Sequence, residues 1–173
     1  MPDGMADSPR LLRVQEFLDK RYGAGILSRS FEKMELTVKI KRAELLSVLA
    51  ALRDELGFNV LDDIIGLDNL RSAAPEEPRF SLLYQLYQFP GFSRLRIAVD
   101  LGEGEEADSV TSLFRSANWE EREIFDLLGI RFAGHPDLRR LLLWEGYPGH
   151  PLRKDFLTLP GGQKSGLAHF PKE

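Results

Sequence analysis

The sequence predicts an α+β fold: a mixed or antiparallel sheet with helices packed on one face, followed by an extended C-terminal segment. Three observations predict it. Along the chain the spacing of apolar residues switches from helical to alternating and back. The elements run helix, strand, helix, several strands, then helices, which is not the repeated strand–helix alternation of a parallel, doubly wound sheet. After about Arg131, glycines, prolines and basic residues dominate, and only Leu138 to Trp144 forms a short apolar run. That shift divides residues 1–130, an α+β domain, from residues 131–173, an extended proline-rich and basic segment suited to docking on a partner.

Ser8 and Pro9 read as an N-cap and a first-turn proline. Leu11, Leu12, Val14, Phe17 and Leu18 follow at helical spacing, and Gly23 ends the element. Met34, Leu36, Val38 and Ile40 alternate with polar residues, the pattern of a half-buried strand. A second helix spans about Arg42 to Leu56, with Leu45, Leu46, Leu49, Leu52 and Leu56 on one face and Gly57 as its C-terminal glycine. Phe58 to Ile65 is expected as a strand, then a polar connection that includes Ala73 to Pro78. Arg79 to Phe89 and the stretch around Leu95, Ile97 and Val99 flank Pro90-Gly91 and read as a hairpin. Gly102 to Asp108 is expected as an acidic loop. Two helical stretches follow, Ser109 to Ser116 and Trp119 to Leu128, the second capped by Asn118 and ended by Gly129. Leu157 to Glu173 has too little apolar content to build a core by itself.

A chain of 173 residues with 43% hydrophobic and 29% charged residues matches one ordinary globular domain. A net charge of −4 is too mild for a nucleic-acid binder. The sequence has no cysteine, which excludes disulfides, a thiol nucleophile and thiolate-ligated iron–sulfur clusters. The N-terminal residues lack the apolar run of a secretory signal. Leu45 to Leu52, the most apolar stretch, is far too short to span a bilayer, so membrane association is expected only through partners.

The densest polar constellation is Glu120-Glu121-Arg122-Glu123 with Asp126. A hydrolase would need carboxylates from this run to converge with His135. Glu121 and Glu123 stand on opposite sides of a helical wheel, about 200° apart, so they cannot address one substrate atom together. The plainer expectation is a solvated helix start with an Arg122–Asp126 ion pair worth roughly 0.3–0.5 kcal/mol. His135, His150 and His169 fall in expected loops without paired ligand spacing, which gives no zinc pattern. Phosphate-binding loops and nucleophile elbows are missing as well. Glu103, Glu105, Glu106 and Asp108 make an acidic loop, whereas Arg139, Arg140, Arg153 and Lys154 gather in the C-terminal segment. A segment of that composition is expected to take its shape on a partner surface.

Glu121-Arg122-Glu123, Asp126-Leu127-Leu128, His135, Arg139, Leu141 and Leu142, followed by Gly149 to Phe156, resemble the two ordered signatures of the C subunit of NADH–quinone oxidoreductase (respiratory complex I). Leu61 to Asp68 is similar to a weaker block of the same family. The resemblance implies a peripheral-arm subunit on the cytoplasmic side of the cell membrane, packed against the large quinone-site subunit. It implies no cofactor in this chain, with NADH, FMN, iron–sulfur clusters and quinone elsewhere in the complex. Glu121, Arg122, Glu123, Asp126, His135, Arg139, Arg140, His150, Arg153, Lys154 and Asp155 are the positions it implies at the partner interface. Related subunits serve membrane-bound hydrogenases and complexes fed by ferredoxin, and the sequence leaves that choice open.

Overall fold

A computed structural model describes residues 9–32, 35–70 and 77–156. Helix α1 (Pro9–Tyr22) leads into strand β1 (Ile26–Glu32) and strand β2 (Glu35–Ile40). A single 3-10 turn then opens helix α2 (Leu45–Leu56), followed by β3 (Val60–Asp68), β4 (Phe80–Tyr87) and β5 (Arg94–Leu101). The last elements are the short β6 (Glu106–Asp108), helix α3 (Ala117–Leu128) and the short β7 (Arg131–Ala133).

Five strands form one sheet in the order β1-β2-β5-β4-β3. Every pairing is antiparallel except β2 with β5, so the sheet is mixed, as expected. Period-two alternation sets its two faces. Leu36, Val38 and Ile40 of β2, Leu82, Tyr84 and Leu86 of β4, and Leu95, Ile97 and Val99 of β5 all point into one core. The apolar stripes of α1, α2 and α3 cover that face. The other face is polar and laced with charge pairs, including Arg96 with Glu35 at 2.7 Å and Lys39 with Asp100 at 2.8 Å.

Helix α2 ends as its glycine predicts. Gly57 is left-handed at φ 74°, and the Phe58 N–H reaches back to the Leu52 carbonyl at 3.0 Å while the ring enters the core.

The structure departs from the expectations in four places. β1 has no alternating pattern to betray it, because it is an edge strand with Leu27 to Ser30 exposed. Ser109 to Ser116 is a run of turns and not a helix. Only one helical turn closes there, Phe114 N–H to Val110 carbonyl, before the chain re-aims. Asn118 lies inside α3 and caps nothing, since the helix begins at Ala117. Within the expected acidic loop, Glu106–Asp108 pairs with Arg131–Ala133 as a small parallel sheet. Ser8, Met34, most of the Ala73–Pro78 connection and the stretch from Leu157 to Glu173, with His169, lie outside the described residues.

Candidate functional site

Helix α3 organises the polar chemistry of the molecule. Its Ile124 and Leu128 pack onto β3 at Gly66, where an added Cβ would stand 2.6 Å from Leu128 and 3.3 Å from Ile124. That close approach requires a glycine in the strand. It brings Glu121, Arg122 and Asp126 inward, and all three are buried. The sequence expectation of a solvated charged helix fails here: only Glu123 of the run is on the surface.

The expected Arg122–Asp126 ion pair is replaced by longer-range contacts. Arg122 donates to the carbonyls of Arg139 and Arg140, both at 3.1 Å, and lies over the Trp119 ring. Asp126 receives Arg140 at 2.8 Å and three consecutive backbone N–H groups, those of Leu141, Leu142 and Leu143, at 3.0, 2.8 and 2.8 Å. Burial opposes ionisation of Asp126. The Leu143 N–H, Arg140 and the other two N–H groups outweigh it and hold the carboxyl below its ordinary value.

Residues 139–153 are therefore held by their own domain. The last carbonyls of α3 show this directly, because a helix end leaves such groups without intrahelical partners. Phe125 accepts from the Gly129 N–H, Asp126 from His150 Nδ1 at 2.9 Å, Leu127 from the Leu152 N–H at 3.0 Å, and Leu128 from Arg153 Nε at 2.6 Å. Burial, ahead of the two arginine charges, lowers the His150 pKa, which suits a neutral ring donating from Nδ1.

Next to this cap a second arginine gathers acids. Arg79 pairs with Asp68 at 3.0 Å, Asp155 at 2.7 Å and Glu103, and Glu103 also takes Arg153 at 3.0 Å. Asp68 is buried and accepts the Lys154 N–H across 86 residues of chain. Arg79 holds the Asp155 carboxyl below its usual value; at Asp68, burial opposes the same effect and is outweighed by Arg79 and two N–H groups. Three sequence blocks, Leu61 to Asp68, Glu121 to Leu142 and Gly149 to Phe156, thus meet at one junction around the end of α3.

Of the expected interface residues, Glu121, Arg122 and Asp126 are sealed inside, and His135, Arg140, His150 and Arg153 serve internal contacts. Glu123, Arg139, Lys154 and Asp155 are exposed. Sequence reasoning overlooked Asp68, Arg79 and Glu103 as members of the junction. Asp68 carried a signal, since it closes the Leu61 block; Arg79 carried none beyond its place before an apolar strand.

Glu121 and His135 do come together, with Oε2 and Nε2 3.9 Å apart. Both side chains are fully shielded. His135 accepts the Asp137 N–H on Nδ1 and faces the Asn118 carbonyl with Nε2, while Glu121 takes the Ser109 hydroxyl and the Val110 N–H, both at 2.7 Å. No substrate reaches a pair enclosed in this way, which removes the basis for the hydrolase reading. Among the described residues no group of three His, Asp or Glu is placed to hold a metal ion.

Residues 38–161 match the model of the family described as the respiratory-chain NADH dehydrogenase 30 kDa subunit. The chain belongs to this family. It is 42% identical over 159 residues to the NADH-quinone oxidoreductase C subunit of Trichlorobacter lovleyi, covering 91% of this chain and 94% of that one. It is 54% identical over 99 residues to the NADH-quinone oxidoreductase C 2 subunit of Rhizobium etli, 57% of this chain, and spans about half (51%) of that relative's length. Among solved structures, a trypsin-resistant fragment of Nqo5 superposes with a TM-score of 0.66 at 37% identity, over 75% of this chain and 99% of that one. The 30 kDa subunit family is thus matched from β2 through the α3 cap, the whole region that the junction ties together.

Proposed function

We propose that the chain is a non-catalytic subunit of the peripheral arm of a proton-pumping NADH:quinone oxidoreductase. It supports assembly beside the large quinone-site subunit, lies on the cytoplasmic side of the membrane and carries no redox centre of its own. Within that reading NADH, FMN, iron–sulfur clusters and quinone belong to other subunits. The observation that carries it is the match to the 30 kDa subunit family over residues 38–161, spanning every block of the junction. The chemistry agrees: the buried charged groups of α3, Glu121, Arg122 and Asp126, are spent on internal hydrogen bonds, and the sequence has no cysteine with which to hold a thiolate-ligated cluster. No helix among the described residues is long and apolar enough to cross a membrane, so attachment through partners fits.

The test is affinity purification of the tagged chain from its native membranes, with the co-purifying subunits identified by mass spectrometry. Recovery of the quinone-site and NADH-oxidising subunits is the expected result. Hydrogenase or ferredoxin-oxidising subunits in their place would move the chain to a related complex, and recovery of the chain alone would overturn the proposal. The isolated chain is expected to show no NADH oxidation and no quinone reduction.

A further inference from the structure

Between β3 and α3 lies an open cleft of about 220 Å³, lined by carboxylates and by apolar side chains. Asp63, Glu120 and Glu123 supply the charge; Ile65, Leu127 and Leu152 supply the apolar wall. Elsewhere around α3, Asp68, Glu103, Asp126 and Asp155 face arginines. The three acids of the cleft have no ion-pair partner among the described residues. Glu120 is the sharpest case: the Ser116 hydroxyl and the Ile64 N–H serve its half-buried carboxyl, yet Oε2 is shielded from water and has no donor of its own. A shielded acceptor left without a donor is uncommon in native proteins. Leu152 on the apolar wall is 55% exposed.

We infer that this cleft receives an arginine or lysine side chain presented by another protein of the assembly. An apolar wall with acids around it fits such a side chain better than it fits an aliphatic one. The methylene stem packs on Leu127 and Leu152 while the cationic head meets the carboxylates. A cation there supplies the donor that Glu120 Oε2 lacks and offsets the repulsion between Glu120 and Asp63. Burial first and the Asp63 charge second push the Glu120 carboxyl up to about 7 in the chain alone, with Ser116 and the Ile64 N–H only partly opposing them. The inference rests on the assembly reading above and adds to it the surface and the chemistry of the contact.

The test uses the full-length tagged chain carrying a photo-crosslinking phenylalanine analogue at Leu152, expressed where the complex assembles. After irradiation of the membranes, cross-linked peptides are identified by mass spectrometry. The expected product joins this chain to a peptide of another subunit bearing Arg or Lys within about three residues of the cross-link. In parallel, Asp63→Lys with Glu123→Lys is expected to lower recovery of partner subunits about tenfold, the size seen when one side of a close charge pair is lost. Glu16→Lys, on the exposed side of α1, is the control and is expected to leave recovery unchanged. Melting curves of the purified variants separate lost docking from lost folding, and Glu120→Gln supplies a milder change of the same sign. A cross-link to the chain's own Lys164–Lys172 stretch, a cross-link to a peptide without a basic residue, or full recovery with the reversed charges would overturn the inference alone. If the unmodified chain brings down no partner, the assembly reading fails and this inference falls with it.

Discussion

The two ends of α3 bury one carboxylate each, and the two meet opposite fates. Glu121, near the N-terminus, is pushed up to about 7, by burial first, with its two hydrogen bonds only partly opposing and the Glu120 charge adding to the rise. Asp126, in the last turn, is pulled below its ordinary value. The helix dipole predicts the reverse, since it favours negative charge at the N-terminus and disfavours it at the other end. The dipole contributes about 0.3–1 kcal/mol, less than a single charge-assisted hydrogen bond inside a protein. Asp126 has three N–H donors and an arginine, whereas Glu121 has one hydroxyl, one N–H and no arginine. Local donors decide the state of a buried acid here, and position along the helix does not.

The largest effect is expected at the well-supported end. Asp126→Ala leaves the Arg140 guanidinium and three N–H groups without their acceptor, and breaking a buried pair from one side costs about 3–5 kcal/mol. Urea unfolding should report that loss, and limited proteolysis should show cleavage appearing between residues 134 and 156, because the carboxylate pins that segment. A loss below about 1 kcal/mol would mean that the segment is held by the α3 carbonyls alone.

A middle-sized effect sharpens the contrast through pH. The folded pKa of Glu121 lies above its unfolded value, so its contribution to stability is fully present below about 4.5 and is lost as pH rises toward about 7. At 1.36 kcal/mol per unit the span is on the order of 3 kcal/mol. Asp126 and Asp68 have lowered values, so their contribution is present above the unfolded carboxylate pKa and is lost as pH falls through the folded one. The stability of the intact chain should therefore rise from pH 8 to about pH 5 and fall again in stronger acid. Glu121→Gln should remove about half of the first limb, since Glu120 is raised to about 7 as well, and leave the second in place. Denaturant midpoints across the pH range check both limbs, and an unchanged first limb in the variant would assign it to another group.

The sheet was largely legible in the sequence, because β2, β4 and β5 carry an apolar face at period two and the helices carry theirs at period 3.6. What escaped was whatever depended on long-range partners. β1 is a strand because β2 offers an edge to pair with, and its own residues carry no signal. The residues of the junction were partly legible too: the acids and bases of α3 and of Gly149 to Phe156 stood out. Their direction did not. Composition showed a basic segment in need of a counter-surface, and the fold shows that residues 139–155 of it rest on α3, Asp68 and Glu103. A hydrogen bond between Lys154 and Asp68 leaves no periodic trace in a one-dimensional pattern.

The smallest effect isolates the cap from the backbone it sits on. Gly57 and Gly129 end α2 and α3 with the same left-handed φ of 74°, so alanine at either position carries the same conformational penalty of about 1–2 kcal/mol. Their surroundings differ. A Cβ at Gly57 meets only the flexible Gln88 amide at 3.4 Å, whereas a Cβ at Gly129 stands 2.6 Å from the His150 ring. His150 cannot retreat without giving up the Asp126 carbonyl, and Arg153, 3.0 Å from the same Cβ, would release the Leu128 carbonyl. Gly129→Ala is therefore expected to cost about 1 kcal/mol more than Gly57→Ala, the worth of one hydrogen bond at the cap. Adding His150→Ala to each variant closes the comparison: the extra cost should shrink at Gly129, where only Arg153 is then left against the Cβ, and the Gly57→Ala cost should stay unchanged, since only the first cap uses that ring. Equal losses for the two single alanine variants would show that α3 ends on backbone geometry alone, with the Gly149 to Phe156 strap adding nothing to it.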